Sequence, residues 1–306
     1  LEGVEWIIFN KRRGASAYLD LARQLHGRRF DLLLHMQVSL RASLITLLIS
    51  AAIKLGFDRA RARDLQWLFT THRIAPAQRE HVLESLLGFT RALGLPDQSP
   101  RWDIPIAEAD RAYAARQREG DRPLLLISPC SSMAYRNWLP RRYASVAHYA
   151  QQRYGMQIAI SGAATPIERE YAALIAAQME RLPTILVGKT TPKQLLALIA
   201  QARVVLAPDS GPAHLATAVG TPVIGLYACT NPDRAAPYLS RDYVVNHYPE
   251  AIRQHYGVSP EALPWGTRVK DPAAMERIRV EEVIAQLDQV MATPPPDLPG
   301  SATSPS

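Results

Sequence analysis

Apolar positions along this chain follow two rhythms. Short runs of branched apolar residues alternate with longer segments in which apolar residues recur every three or four positions, the spacings of buried strands and amphipathic helices. From Pro123 onward the alternation is regular. It predicts strand Leu124 to Ser128, helix Pro140 to Arg153, strand Gln157 to Ser161, helix Pro166 to Met179, strand Thr184 to Val187 and helix Pro192 to Gln201. A strand at Val204 to Leu206, a helix carrying His214 and ending at Gly220, and strands Val223 to Tyr227 and Tyr243 to Val245 continue it. Prolines at or near the first helical position fix several helix starts. The pattern is that of an α/β domain whose parallel sheet is covered on both faces. Residues 246–272 read as irregular, Ala273 to Met291 as a closing helix, and 292–306, rich in proline and serine, as a disordered tail.

The first half also alternates. Glu5 to Phe9 reads as a strand, Ser16 to Leu25 as a helix, Phe30 to His35 as a buried strand and Val38 to Ala52 as a helix. An arginine-rich loop, KLGFDRARARD, precedes a helix from Gln78 to Leu93 that Gly94 stops. Pro96, Pro100 and Pro105 interrupt the pattern before a helix Glu108 to Arg118, which places a domain boundary at 100–120. The expected organisation is a domain at 1–110, a second at 120–272, the helix 273–291 and the tail 292–306. A length of 306 residues suits two such domains.

Composition narrows the function classes. Apolar residues at 47% with 21% charged exclude a mainly disordered chain. The apolar stretch Leu44 to Ile53 is too short to cross a bilayer. Two cysteines, Cys130 and Cys229, lie far apart without metal or redox spacing, as expected of reduced thiols in the cytoplasm. A net charge of +7 points to an anionic partner: nucleic acid, a membrane surface or a phosphorylated substrate.

The densest chemistry lies in VVLAPDSGPAHLATAVG, residues 204–220. Its apolar run stops at Asp209, and Ser210, Gly211 and Pro212 supply a cap, a permissive turn and an early-helix proline. A helix starting beside the carboxyl end of a parallel strand offers free N–H groups and the positive end of its dipole, a seat for phosphate. The same spacing also describes an ordinary capped βαβ unit. His214 reads either as a core histidine or as a ligand contact, and Asp209 either as a turn cap or as part of a site. Other predicted strand ends carry SPCSSMAYRNW, SGAATP and VGKTTP. In the first of these, Ser131 and Ser132 stand near Arg136, so that hydroxyls and a guanidinium share one region; Lys189 in the third reads equally as a surface lysine. Gln37 and Arg41 follow the Phe30 to His35 strand, and Arg59, Arg61 and Arg63 form either a solvated loop or a docking site for an anionic acceptor. No nucleophile elbow, Walker loop, zincin histidine pair or metal-holding D-x-D is present, so a metal-free enzyme is the simpler expectation.

At these residues the chain resembles the bacterial heptosyltransferases, glycosyltransferase family 9. APDSGPAHLATAVGTPVIGLYACTNPDRAAPY, residues 207–238, is similar to the family's D-[ST]-G-x-x-H-L-x-A-A-x-x-x-P motif and the aromatic-x-x-T-x-P segment after it. FDLLLHMQVSLRASL and SSMAYRNWLPRRYASVA resemble its N-domain glutamine stretch and its paired-hydroxyl loop. The resemblance implies a GT-B fold of two Rossmann-like domains facing a cleft. It also implies an inverting transfer of heptose, or a related sugar, from an ADP-sugar to lipopolysaccharide inner core, by a cytoplasmic enzyme, with a peripheral position at the inner membrane as one option. No metal and no nucleic acid are expected. Nucleotide-sugar contacts would come from Ser131, Ser132, Arg136, Lys189, Asp209, Ser210, Gly211 and His214, and acceptor contacts from Gln37, Arg41 and Arg61. Arg136 stands where the family commonly has lysine. The family's general base is an aspartate in a Gly-Asp loop after the first N-domain strand, and on that pattern it would precede Leu1. The chain's Gly120-Asp121 pair falls between domains, so we expect an N-terminal domain lacking that strand and loop and no catalytic base among these residues. The alternatives are a UDP-sugar enzyme of the same architecture, epimerase-like, and a non-catalytic nucleotide-sugar-binding protein.

Overall fold

The computed structural model describes residues 3–96 and 99–294. Leu1, ahead of which the family base is expected, lies outside the described residues. The chain divides into two compact units, up to Ser99 and from Pro100. Sequence spacing places the boundary at 100–120. The division falls earlier because the helix Glu108–Arg116 belongs to the second unit: Ala114 is fully buried among Leu124, Leu198 and Val205, and the Tyr113 hydroxyl donates to the Lys189 carbonyl at 2.8 Å.

In the first unit three parallel strands lie in the order β1 (Phe30–His35), β2 (Ala51–Gly56), β3 (His72–Arg73). Its core is small: Leu55, Phe57, Ile74 and Phe89, with Phe57 and Phe89 meeting edge to face at 5.0 Å. Two expectations fail here. The helix expected over Val38 to Ala52 spans only Leu40–Thr46, and Ala51 to Gly56 is the central strand, in register with β1 from Phe30↔Ala51 to His35↔Gly56. A run apolar on every side does not distinguish helix from buried strand by period, and the long-range ladder decides. Glu5 to Phe9 carries no regular secondary structure and pairs with no strand among the described residues. The segment is anchored by Glu5 to Arg28 at 2.7 Å and Phe9 against Tyr18 at 5.0 Å, while Val4, Trp6 and Ile8 face solvent.

The second unit holds six parallel strands, β4 (Leu124–Ile127), β5 (Gln157–Ile160), β6 (Thr184–Ile185), β7 (Val204–Pro208), β8 (Val223–Tyr227) and β9 (Val244–Asn246). They lie in the order β6-β5-β4-β7-β8-β9, the doubly wound arrangement whose direction of growth reverses between β4 and β7. Alternate residues feed two cores. Leu125, Ile127, Ile158, Ile160, Val204 and Leu206 pack with the helices Pro140–Tyr154 and Val280–Ala292, whereas Leu124, Leu126, Ala159, Val205 and Ala207 pack with Pro192–Ala200 and Gly211–Ala218.

Within 246–272, expected to be irregular, Tyr248–Tyr256 is a helix with Pro249 in its first turn and Gly257 left-handed at its end. The closing helix expected over Ala273 to Met291 is divided into a 3-10 turn, Pro272–Arg277, and the α-helix Val280–Ala292. In the expected tail 292–306, residues 295–306 lie outside the described ones.

The start of the closing helix is fastened to the sheet end. Glu282 accepts the Arg279 N–H at 2.8 Å and lies 3.0 Å from His247 Nε2 through both oxygens. Burial raises the Glu282 carboxyl, but these donors outweigh it and hold it below the ordinary glutamate value. A carboxylate held low contributes stability that is present at neutral pH and lost as pH falls through its folded-state value. Glu282→Gln is therefore expected to destabilise the protein at pH 7, by up to about 1 kcal/mol after solvent screening. Urea unfolding at pH 7 and at pH 3 checks this, with the gap to wild type closing at the lower pH.

Candidate active site

The reversal between β4 and β7 opens a cleft at the carboxyl ends of the strands, where doubly wound sheets take their ligands. It encloses about 650 Å³. One wall is the loop after β4, fixed along its length. The Tyr143 hydroxyl donates to the Pro129 carbonyl at 3.2 Å, the Asn137 side chain accepts the Ser131 N–H at 2.8 Å, and Trp138, fully buried, donates from Nε1 to the Ile278 carbonyl at 3.1 Å. At the foot of the cleft the Ser128 and Ser161 hydroxyls bond each other at 2.6 Å.

The facing wall is the turn after β7. Its main-chain carbonyl at Asp209 accepts both the Ser131 hydroxyl, at 3.1 Å, and Arg136 Nη1, at 3.3 Å, so the two loops are joined across the switch point. The Asp209 carboxylate adds a salt bridge to Arg136 Nη1 at 3.0 Å, and His214 Nε2 stands 3.8 Å from its other oxygen. Burial alone would raise the Asp209 carboxyl. The His214 ring, the Arg136 guanidinium and the Thr230 hydroxyl outweigh it and hold the group below the ordinary aspartate value, so it is charged at neutral pH.

The helix Gly211–Ala218 then points its N-terminus at the cleft. Pro212 has no N–H, and the N–H groups of Gly211 and Ala213 have no acceptor within the helix. Ser210, at the cap position, bonds none of them through its side chain, and its hydroxyl is buried without a partner. Arg136 is only 9% exposed, and its Nε is likewise buried without a partner. Residues that carry unfilled donors thus line one concavity, an arrangement suited to an anion with several oxygens. The cleft's Cys130 thiol, pushed up to about 12 by burial and then by Glu168, stays neutral.

Of the residues expected at the nucleotide sugar, Ser131, Ser132, Arg136, Asp209, Ser210, Gly211 and His214 all line this cleft; Lys189 is exposed after β6 and does not. Gly162, Thr165, Ile167, Glu168 and Leu195 also line it. Glu168 had a legible signal, the Thr165-x-x-Glu168 spacing of a helix start: its carboxylate accepts the Ala163 N–H at 2.9 Å and the Thr165 hydroxyl.

The expected acceptor residues lie in the first unit. Gln37 and Arg41 are exposed at the carboxyl end of β1. Arg41 is carried by a helix whose start is held by Asp64, accepting the Leu40 N–H at 3.1 Å. His35, whose pKa burial lowers, bonds Ser43 at 3.1 Å and braces the same turn. Arg61 departs from its expected role as an exposed docking cation. Its guanidinium bonds Asp58, Glu80 at 2.6 Å and the Ala75 carbonyl at 2.6 Å, and so braces the unit from inside. No helix among the described residues is long and apolar enough to cross a membrane, and no three His, Cys, Asp or Glu among them are grouped to hold a metal ion.

The model of glycosyltransferase family 9 (heptosyltransferase) matches residues 18–261. This chain belongs to that family. It is 41% identical over 290 residues to the lipopolysaccharide core heptosyltransferase OpsX of Haemophilus influenzae, covering 95% of this chain and 83% of that protein. It is 25% identical over 234 residues to lipopolysaccharide heptosyltransferase 3 of Escherichia coli, covering 73% and 68%. Among solved structures, a family 9 glycosyl transferase from Veillonella parvula superposes with a TM-score of 0.71 at 21% identity, over 90% of this chain and 78% of that one. E. coli heptosyltransferase WaaC with ADP gives 0.63 at 16% identity, over 91% and 80%. The fold class is therefore GT-B, and this family 9 chain is a glycosyltransferase.

One glycine packs against the segment behind a wall of the cleft in this glycosyltransferase. Gly188 has φ +71°, and a Cβ there would meet the Ala164 Cβ at 2.9 Å and its Cα at 3.2 Å, on the wall formed by residues 162–165. Gly188→Ala is expected to cost about 2 kcal/mol through the left-handed backbone and the displaced wall. A thermal-unfolding scan of the variant against wild type measures it.

Proposed function

We propose that this glycosyltransferase moves a heptose from an ADP-sugar to a hydroxyl of the lipopolysaccharide inner core, with inversion at the anomeric carbon, at the cytoplasmic face of the inner membrane. The observation that carries the reading is the set of unfilled donors at the β4–β7 switch point: Arg136 Nε, the Ser210 hydroxyl and the first N–H groups of the helix Gly211–Ala218. The family match and the 41% identity to a lipopolysaccharide core heptosyltransferase support the same donor and acceptor.

In this scheme the acceptor hydroxyl attacks the anomeric carbon as the bond to the diphosphate breaks, through an oxocarbenium-like state. Negative charge grows on the leaving oxygen, and donors already aimed at that point stabilise it without reorganising, each worth about 3 kcal/mol. Ser131 and Ser132 face the same phosphates from the opposite wall, and the scheme calls on no metal. Gln37 and Arg41 meet the acceptor. On the family pattern the base that takes the acceptor proton is an aspartate of a Gly-Asp loop.

Calorimetric titration tests the nucleotide. ADP is expected to bind and UDP to bind at least tenfold more weakly, whereas a preference for UDP would overturn the assignment. For the acceptor side, Arg41→Ala is expected to raise the acceptor KM about tenfold, the scale of one lost charge-assisted contact, with the affinity for ADP unchanged. A fall in ADP affinity in that variant would remove Arg41 from the acceptor site.

A further inference from the structure

The helix Leu40–Thr46 of the first unit is turned inside out. Its buried residues are Ser43 and Thr46, whereas Leu40, Leu44 and Leu47, spaced to share one face, are exposed. The 3-10 turn Gln66–Leu68 repeats the inversion, with Gln66 fully buried and Leu65 and Leu68 each more than half exposed. The two segments are neighbours. Asp64 accepts the Leu40 N–H, the Thr46 hydroxyl reaches the Phe69 carbonyl at 3.5 Å, and the Gln66 side chain donates to the His35 carbonyl at 2.8 Å. Asp64 and Leu65 both carry left-handed backbone, φ +50° and +58°, a conformation that disfavours leucine. Single exposed leucines are ordinary on a protein surface, but five on two adjoining segments, with polar groups buried beneath them, mark a face that meets a second apolar phase.

The charge around the leucines says which phase. Residues 36–73 hold six lysines or arginines against two carboxylates, and both carboxylates are engaged, Asp58 by Arg61 and Asp64 by the Leu40 N–H. Arg41 lies between the leucines on the helix, Arg63 just ahead of the turn, and Arg59 and Arg73 over the Trp67 ring at 4.8 and 6.0 Å. None of these four arginines is in a salt bridge among the described residues. Exposed leucines, a tryptophan among them and arginines without a carboxylate partner are the composition of a surface that lies in the headgroup region of an anionic bilayer. A second copy of the chain would bring the same positive face and be repelled. Building on the lipopolysaccharide acceptor reading, we propose that this face docks the first unit on a bilayer rich in anionic lipid, with the leucines at the boundary of headgroups and acyl chains and the arginines at the lipid phosphates. Docking in this way places Gln37 and Arg41, the acceptor contacts of the proposed function, at the surface where a lipid-linked acceptor presents its sugars.

The test is co-sedimentation of the full chain at low salt with vesicles of phosphatidylglycerol and phosphatidylethanolamine, and with vesicles of phosphatidylcholine alone. Wild type is expected to partition about tenfold more strongly onto the anionic vesicles. Leu47→Ser combined with Leu68→Ser is expected to lower that partition by about tenfold or more, the scale of taking two leucines out of the lipid boundary. Arg63→Gln is expected to lower it about fivefold, the scale of one arginine at an anionic surface. Both variants are expected to unfold at the wild-type temperature, and Leu182→Ser, exposed in the second unit, to partition as wild type does. Equal partition of wild type and the first two variants, an equal loss in Leu182→Ser, or loss of folding in the first two variants overturns the docking face and leaves the membrane reading standing. Absence of wild-type partition overturns both; a wild-type dimer that the leucine variant then dissolves assigns the face to a second copy. The ADP titration is independent of these outcomes, so a failure here is distinguishable from a failure of the ADP-sugar reading.

Discussion

The second unit is organised around one acceptor, the main-chain carbonyl of Asp209. A carbonyl oxygen has two lone pairs, and here both are used, by the Ser131 hydroxyl at 3.1 Å and by Arg136 at 3.3 Å. The doubly wound sheet leaves a gap between β4 and β7, because their following helices depart to opposite faces. Without a bond across that gap the two loops would move independently. With it, Ser131, Arg136 and the start of the helix Gly211–Ala218 keep fixed relative positions before any ligand arrives. Donors preorganised in this way do not have to be ordered as charge develops, which is the physical basis of a large rate effect.

The loop after β4 is held to the same standard by groups distant in sequence. Trp138 reaches the Ile278 carbonyl, and Cys229 Sγ donates to the Tyr135 carbonyl at 3.1 Å. The closing helix is likewise fastened at several points: Tyr149 and Tyr154 both donate to Asp288, at 3.0 and 2.8 Å, and Arg203 takes the carbonyls of Val290 and Thr293 at its end. The segments that follow the sheet thus act as a brace for the loop after β4, and burial of Trp138 is what transmits it.

Most of this unit was legible in the sequence, because buried parallel strands are short, continuous apolar runs and because Pro140, Pro166 and Pro192 mark helix starts. Seven of the eight residues expected at the nucleotide sugar line one cleft, since a parallel sheet brings the loops after its central strands together. Lys189 fails to join them because β6 is an edge strand in the order β6-β5-β4-β7-β8-β9. The first unit was less legible. There a small core leaves local pattern undecided, and Ala51 to Gly56 becomes a strand only through its ladder with Phe30 to His35. Tyr248–Tyr256 was missed because Pro249 reads as a break although proline is tolerated in a first helical turn.

Arginine shows how little a residue type says by itself. Arg61 and Arg136 are both largely buried, and each has a carboxylate beside it. Arg61 meets Asp58 and Glu80 together with a main-chain carbonyl, so its charge is balanced and its donors are filled from within. Among acceptors of the described residues, Arg136 meets Asp209 alone, through one nitrogen, and its buried Nε has no partner. The difference is one of unfilled hydrogen-bonding capacity rather than of charge. The same holds for the whole molecule: a chain of net charge +7 has, at the carboxyl ends of its strands, a cleft whose lining is not positive. Affinity there has to come from oriented N–H groups, which act at hydrogen-bond range and select a shape. Long-range attraction, which salt screens over about 10 Å, would gather any polyanion. The basic excess therefore lies outside this cleft, and what the cleft offers an anion is the pair of loops that Asp209 joins.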